Sequence, residues 1–107
     1  MKLLTDKEMW AKHKDYPATD GVFYFYCPGC DVLHRVNTIT ENEHKAIWSF
    51  NGDMDKPTFA PSVLYERSPR CHTFIKDGNI QYLEDCEHIL KGQTIPLPEI
   101  PELYTTK

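Results

Sequence analysis

Four cysteines, arranged as two widely separated pairs, constrain the fold of this chain more than any other feature. Cys27 and Cys30 lie in a CPGC segment, whose central Pro-Gly suits a bend that turns both sulfurs toward one point. The N-terminus does not look like a signal peptide, and no segment approaches the roughly 20 apolar residues of a membrane span. We therefore expect a cytoplasmic protein whose reduced thiols bind zinc. A secreted protein with two disulfides is the alternative.

The other two cysteines flank a hairpin whose register can be counted from its turn. Asp77-Gly78 predicts a two-residue type I′ turn, because both central positions of that turn need positive φ. Counting outward places Ile75 opposite Ile80 and makes Cys86 the diagonal neighbour of Cys71 on the same face of the sheet. The hairpin should therefore bring two thiols together at its open end.

The two cysteine pairs together predict a closed, tetrahedral zinc site. Its expected ligands are Cys27, Cys30, Cys71 and Cys86. Two histidines compete for the fourth position, since His88 lies two residues beyond Cys86 and His72 is next to Cys71. A redox dithiol at CPGC is a further interpretation, but no βαβ pattern surrounds the motif as a thioredoxin-like site would need.

The rest of the chain predicts a mainly β (α+β) fold, a small zinc-stapled antiparallel sheet with one short N-terminal helix. Thr5 and Glu8 have the spacing of a capping box, so a helix is expected over about residues 6–14. Short segments rich in aromatic and β-branched residues predict the strands. These segments are residues 22–27, 34–39, 46–50, 62–66, 71–76 and 79–84.

A chain of 107 residues suits one zinc-binding domain, in which we expect three parts. Residues 1–20 would hold the helix and a linker, residues 21–98 the core, and residues 99–107 an extended tail. The terminal segment TIPLPEIPELYTTK contains Pro96, Pro98 and Pro101. It is expected to be extended and to lie across the sheet as a strap, and a PxxP ligand is the alternative.

Several polar side chains have no place in the predicted zinc site. His34, His72, His88 and Asp85 could form a second constellation, either an open metal site or an acid–base group. The alternative is that they donate hydrogen bonds to the zinc ligands or are simply solvated. No nucleophile–base pair is recognisable in the sequence, so no catalytic residue is assigned.

A proline-containing segment, WSFNGDMDKPTFAPS at residues 48–62, is expected to be a surface loop. Asn51-Gly52 signals a turn, and Pro57 and Pro61 should exclude the segment from the interior of a sheet. The candidate interaction residues of this loop are Asn51, Asp53, Asp55, Thr58 and Ser62. The two aspartates would form an acidic rim that suits a basic partner surface.

Three blocks of the sequence, in order, resemble a family of small proteins found chiefly in tailed-phage and prophage genomes. The blocks are CPGC followed by His34, WSFNGDMDKPTFAPSV, and CHTFIKDGNIQYLEDCEHILKGQTIPLP, and the resemblance covers about residues 21–98. The residues on its motif positions are Cys27, Cys30, His34, Trp48, Asn51, Gly52, Pro57, Thr58, Pro61, Ser62, Cys71, His72, Asp85, His88, Gly92 and Gln93. Members sometimes carry the label ammonia monooxygenase, which does not suit a chain without a membrane span or a clear copper site.

The resemblance implies a phage-encoded protein in the cytosol of a bacterial host. We expect a binding module that modulates a host protein of defence or transcription, because a closed metal site has no open position for substrate. The alternative is a small metal-dependent hydrolase or nucleotide-processing enzyme that uses His34, His72, His88 and Asp85. The formal net charge of -4 argues against nonspecific binding to nucleic acid, and no membrane partner is expected.

Overall fold

Two antiparallel sheets dominate the structure, a computed structural model that describes residues 1–105. The first sheet has the strand order β1-β2-β3, with β1 at Leu4–Thr5, β2 at Val22–Cys27 and β3 at Val32–Asn37. The second has the order β4-β5-β6-β7-β8, with β4 at Ser49–Phe50, β5 at Phe59–Tyr65, β6 at Cys71–Lys76, β7 at Asn79–Tyr82 and β8 at Thr94–Pro96. The predicted mainly β class is confirmed.

The N-terminal helix α1 begins where the sequence predicts but is shorter. It spans Asp6–Met9 instead of residues 6–14, and the Thr5 and Glu8 side chains form the expected capping box. Beyond it the backbone makes bonds to the third residue back, such as that from the His13 N–H to the Trp10 carbonyl, so the chain continues as turns. A 3₁₀ turn at Glu102–Tyr104 follows the last strand. Within residues 1–105, no helix is long and apolar enough to cross a membrane.

The counted register of the β6–β7 hairpin is confirmed. Ile75 pairs with Ile80, and both turn residues have positive φ, 50° at Asp77 and 79° at Gly78. The expected strap is wrong for residues 94–96, because Ile95 pairs with Ile80 and makes this segment the edge strand β8. The last two residues of the predicted tail lie outside the described residues.

The segment around Pro61 is part of a strand, which corrects the expected loop. β5 includes Pro61 and Ser62, and its register against β6 shifts between Phe59 and Val63. A proline can occupy such an irregular position because the ladder hydrogen bond that it cannot donate is already interrupted there. Ser62 is therefore held by a sheet and does not lie on a free loop.

The main core lies where the two sheets face each other. Phe25 and Val36 of the first sheet and Phe59, Ile75 and Ile80 of the second are almost completely buried in one cluster. The backbone N–H of Trp48 also donates to the carbonyl of Asn37, which joins the end of β3 to the chain entering β4. The packing brings the end of β2 close to the start of β6, where the cysteines lie.

Candidate active site and metal centre

Three polar side chains, two on the second sheet and one from the turn after β7, form a continuous chain of contacts. The Ser62 Oγ lies 2.8 Å from the His72 Nε2. The other ring nitrogen of His72, Nδ1, lies 3.1 Å and 3.2 Å from the two carboxylate oxygens of Asp85. These distances are within the range over which a general base can accept a proton from a hydroxyl nucleophile.

The strand register explains why these side chains meet. His72 on β6 is opposite Leu64 on β5, and Ser62 precedes Leu64 by two residues, so Ser62 and His72 are diagonal neighbours on one face. Asp85 comes from the turn after β7. The N–H of Leu83 in that turn donates to the carbonyl of His72 at 2.9 Å, which keeps the turn beside the imidazole.

One tautomer of the imidazole satisfies both of its partners. With the proton on Nδ1, the ring can donate to an Asp85 carboxylate oxygen while Nε2 accepts from the Ser62 hydroxyl. The side chain of His72 is 24% exposed and that of Asp85 is 44% exposed. The group is therefore fixed by hydrogen bonds but remains accessible to a substrate.

A second group of side chains lies where the two sheets meet. Cys27, Cys30, Cys71 and His88 each bring one ligand atom into a cluster in which all four atoms lie within 4.8 Å of one another. Cys27 and Cys30 come from the end of β2 and the turn after it, whereas Cys71 and His88 belong to the second sheet and its following turn. A metal ion here would join the two sheets.

The ionisation of the three thiols in this cluster favours the binding of a cation. The pKa of Cys27 is lowered to about 3, first by the hydrogen bond from the Cys71 thiol and further by His34 and Tyr82. The pKa of Cys71 is raised because its thiol donates that hydrogen bond and is buried. Burial also raises the pKa of Cys30 to about 11. Three ionised thiols this close would repel one another, so they need a bound cation to ionise together.

His88 also has the features of a ligand. It is 8% exposed, its Nε2 is buried without a hydrogen-bond partner, and its Nδ1 lies 3.3 Å from the backbone nitrogen of Leu90. A Cβ on Gly29 would come within 2.3 Å of the imidazole, so the glycine of CPGC lets the ring approach the thiols. A metal ion would give the orphaned nitrogen a partner.

The structure brings His88, and not Cys86, to the three thiols. The Cys86 Sγ lies 3.2 Å from the backbone nitrogen of His72 and 3.1 Å from its carbonyl oxygen. The cause is the end of β7 at Tyr82, after which the Cys86 N–H donates to the Leu83 carbonyl and the chain turns. The group that could hold a metal therefore consists of three thiols and an imidazole, and its fourth member is His88, one of the two histidine alternatives that the sequence offered.

The four residues of the expected second constellation belong to different sites. His72 and Asp85 contact Ser62, whereas His88 lies with the thiols. His34 is 3% exposed and stacks on Tyr65 with ring centroids 4.0 Å apart, close enough to Cys27 to influence its ionisation. No single open metal site is formed from these side chains.

The remaining loop candidates shape turns. The Asn51 side chain donates to the Lys56 carbonyl, and the Asp53 carboxylate accepts from the N–H groups of Asp55 and Lys56. The two backbone bonds lower the pKa of Asp53. The Thr58 hydroxyl accepts a hydrogen bond from the Asp77 N–H at 2.8 Å, which connects the end of this loop to the β6–β7 turn.

Ser62, His72 and Asp85 have the arrangement of a Ser–His–Asp triad, which defines a class of hydrolases and acyltransferases recognised by geometry and not by chain order. A family model described as "Bacterial ubiquitination-like system serine protease (BubE)" matches residues 2–83. The chain belongs to this family. No curated protein and no solved structure matches the chain.

The family match corrects the expected function. A phage-encoded module that modulates a host factor is wrong, since the family is one of bacterial serine proteases, and membership of the phage family is not confirmed. The match includes Ser62 and His72 but ends before Asp85 and His88, which only the structure places.

The missed feature was the pairing of Ser62 with His72. Residues 62–65 are Ser-Val-Leu-Tyr, which show no polar–apolar alternation from which the outward face of the strand could be predicted, although the structure buries Val63 and exposes Leu64. The connection between β5 and β6, residues 66–70, contains no two-residue turn from which to count, so the sequence did not reveal which residue faces His72.

Proposed function

We propose that this chain is a serine protease whose catalytic triad is Ser62, His72 and Asp85, and that it acts on a protein of a bacterial ubiquitination-like system. The observation that carries the proposal is the unbroken line of contacts from the Ser62 hydroxyl through both nitrogens of His72 to Asp85. The family description supplies the reaction class and the setting.

In the acylation step, the Ser62 Oγ attacks the carbonyl carbon of the scissile peptide bond. His72 Nε2 takes the hydroxyl proton as the Oγ–C bond forms, and Asp85 stabilises the resulting imidazolium through Nδ1–H. His72 then delivers the proton to the leaving nitrogen as the C–N bond breaks. The products of this step are a free amine and an ester on Ser62.

Water completes the cycle by the reverse sequence of proton transfers. His72 Nε2 removes a proton from a water molecule, whose oxygen attacks the ester carbonyl. When the bond to Ser62 breaks, His72 returns the proton to the Ser62 Oγ. The peptide leaves with a carboxylate end, and the triad regains its starting protonation state.

The metal proposed for the thiol cluster is zinc, bound by Cys27, Cys30, Cys71 and His88. Three thiolates and one imidazole form a common closed set for structural zinc. Cys71 immediately precedes His72, so the metal would hold the start of β6 and, with it, the position of the general base. In this proposal, zinc contributes structure and takes no part in bond cleavage.

Replacing Asp85 with Asn tests the triad. The amide cannot stabilise the imidazolium and can favour the wrong tautomer, so kcat should fall by about 10²-fold to 10⁴-fold with p-nitrophenyl acetate as substrate. Asp53→Asn is the matched control, because Asp53 is likewise an exposed aspartate whose carboxylate accepts hydrogen bonds, but it lies in the 51–58 loop. Equal ester turnover by both variants and the unmodified protein would remove Asp85 from the proposed mechanism.

A further inference from the structure

One edge of β5 has no strand beside it near Ser62. β4 pairs only with the first part of β5, where Ser49 is opposite Ala60 and Phe50 is opposite Phe59. Over residues 1–105, no other strand pairs with this side of β5. Beyond the Ser62 carbonyl, which accepts from the Trp48 indole N–H, the edge that continues to Tyr65 is therefore available to an extended chain.

The contacts of His72, which is opposite Leu64, show where the N–H and carbonyl of Leu64 point. The N–H of His72 faces the Cys86 sulfur, and its carbonyl accepts from the Leu83 N–H, so both groups point toward β7. Leu64 is opposite His72, and their backbone groups therefore do not bond to each other. The N–H and carbonyl of Leu64 must point the other way, toward the open edge.

A groove of about 680 Å³ lies along this edge. Leu64 and Tyr65 line it on the β5 side, and Arg35 and Asn37 line it on the β3 side. Trp48 stands at the Ser62 end, where its indole N–H donates to the Ser62 carbonyl at 3.1 Å. The groove therefore begins beside the triad serine.

The facing edge of β3 is already occupied at Arg35. The Tyr65 hydroxyl accepts from the Arg35 N–H at 2.5 Å and donates to the Arg35 carbonyl at 2.8 Å. An incoming chain thus finds its backbone partners on β5 and not on β3. Because Arg35 and Arg67 line the same groove as Glu41, Glu43 and Glu66, recognition through the backbone fits better than attraction by one sign of charge.

We infer that the substrate of the proposed protease binds as an added β-strand on the open edge of β5. One substrate residue exchanges two hydrogen bonds with the N–H and carbonyl of Leu64, and the strand runs from Ser62 toward Arg67. Leu64 and Phe74, both about 40% exposed on the face that carries His72, give its side chains apolar contacts. The inference rests on the proposed function and adds its substrate class, an extended and unstructured peptide segment.

Replacing Leu64 with Pro removes the outward N–H, which β6 does not use, and an edge position tolerates proline. The probes are p-nitrophenyl acetate, which is too small to reach Leu64, and a library of N-acetyl tetrapeptide aminocoumarins. Leu64→Pro should lower kcat/KM by about tenfold for the best tetrapeptide, whereas Leu64→Ala, which keeps the N–H, should lower it by less than about threefold. Ester turnover reports in each protein whether the triad is intact, so the peptide kcat/KM of each variant is compared after division by its ester kcat/KM.

A second measurement does not depend on how well the proline variant folds. Each backbone amide of the best tetrapeptide is N-methylated in turn and tested on the unmodified protein. Methylation of one particular amide, at a position remote from the scissile bond, should lower kcat/KM about tenfold. The methyl group replaces the hydrogen that this amide donates to the Leu64 carbonyl. Uniform rates across the N-methylated peptides, or ester turnover without cleavage of any tetrapeptide, would overturn the strand model. Absence of ester turnover in the unmodified protein would instead overturn the proposed function.

Discussion

Ser62→Ala is expected to lower kcat for ester and peptide hydrolysis by about three to six orders of magnitude while leaving the fold intact. The substitution removes the Ser62 Oγ, which lies 2.8 Å from the His72 Nε2. The backbone carbonyl of Ser62, which accepts from the Trp48 indole, is kept. Turnover of p-nitrophenyl acetate and the circular dichroism melting curve together measure the effect.

Ser49→Ala is the matched control for this loss. Ser49 is also a strand serine, in β4, and its hydroxyl donates to the Ala60 carbonyl at 3.3 Å. Within residues 1–105, no hydrogen bond joins the Ser49 hydroxyl to His72, so removal of this hydroxyl should leave turnover unchanged. If Ser62→Ala and Ser49→Ala have the same activity, Ser62 is not the nucleophile.

Removal of the metal is expected to abolish both the fold and the activity. A structural zinc contributes on the order of 10 kcal/mol of folding free energy in small domains, which is comparable with the whole stability of a typical domain. Here it would join the end of β2 to the start of β6 and so hold His72 beside Ser62. A strong chelator should therefore remove the β-sheet signal and ester turnover together, and added zinc should restore both.

Two single substitutions separate the possible fourth ligands. His88→Ala should lose the bound metal, because the imidazole belongs to the thiol cluster. Cys86→Ser should keep one metal per chain, because the Cys86 sulfur contacts the backbone of His72 and lies outside that cluster. Metal content measured by mass spectrometry decides between them. Retention of metal in His88→Ala together with its loss in Cys86→Ser would restore the four-thiolate set.

The parts of the fold that the sequence predicts well are those governed by local signals. The aromatic run gives β2 at Val22–Cys27, and the Asp77-Gly78 turn sets the register of β6 and β7. The capping box likewise places the start of α1 at Asp6. Each of these signals acts over a few residues, so no knowledge of distant packing is needed.

The candidate sites depend on contacts that no local signal specifies. The register between β5 and β6 is set by packing and by the irregularity near Pro61, so Ser62 could not be placed opposite the base from sequence alone. The turn after Tyr82 likewise brings His88 toward Cys27 and leaves Cys86 against β6. Residue types near the sites were therefore predictable, but their partners were not.

Covalent labelling of the nucleophile tests the central claim most directly. The protein is treated with diisopropyl fluorophosphate, which reacts with activated serines, and the adduct is located by peptide mass spectrometry. The other serines, Ser49 and Ser68, serve as internal controls. The triad predicts one adduct, on Ser62, which disappears in His72→Ala. No adduct in folded, metal-loaded protein, or an adduct on Ser49 or Ser68 alone, would contradict the assignment.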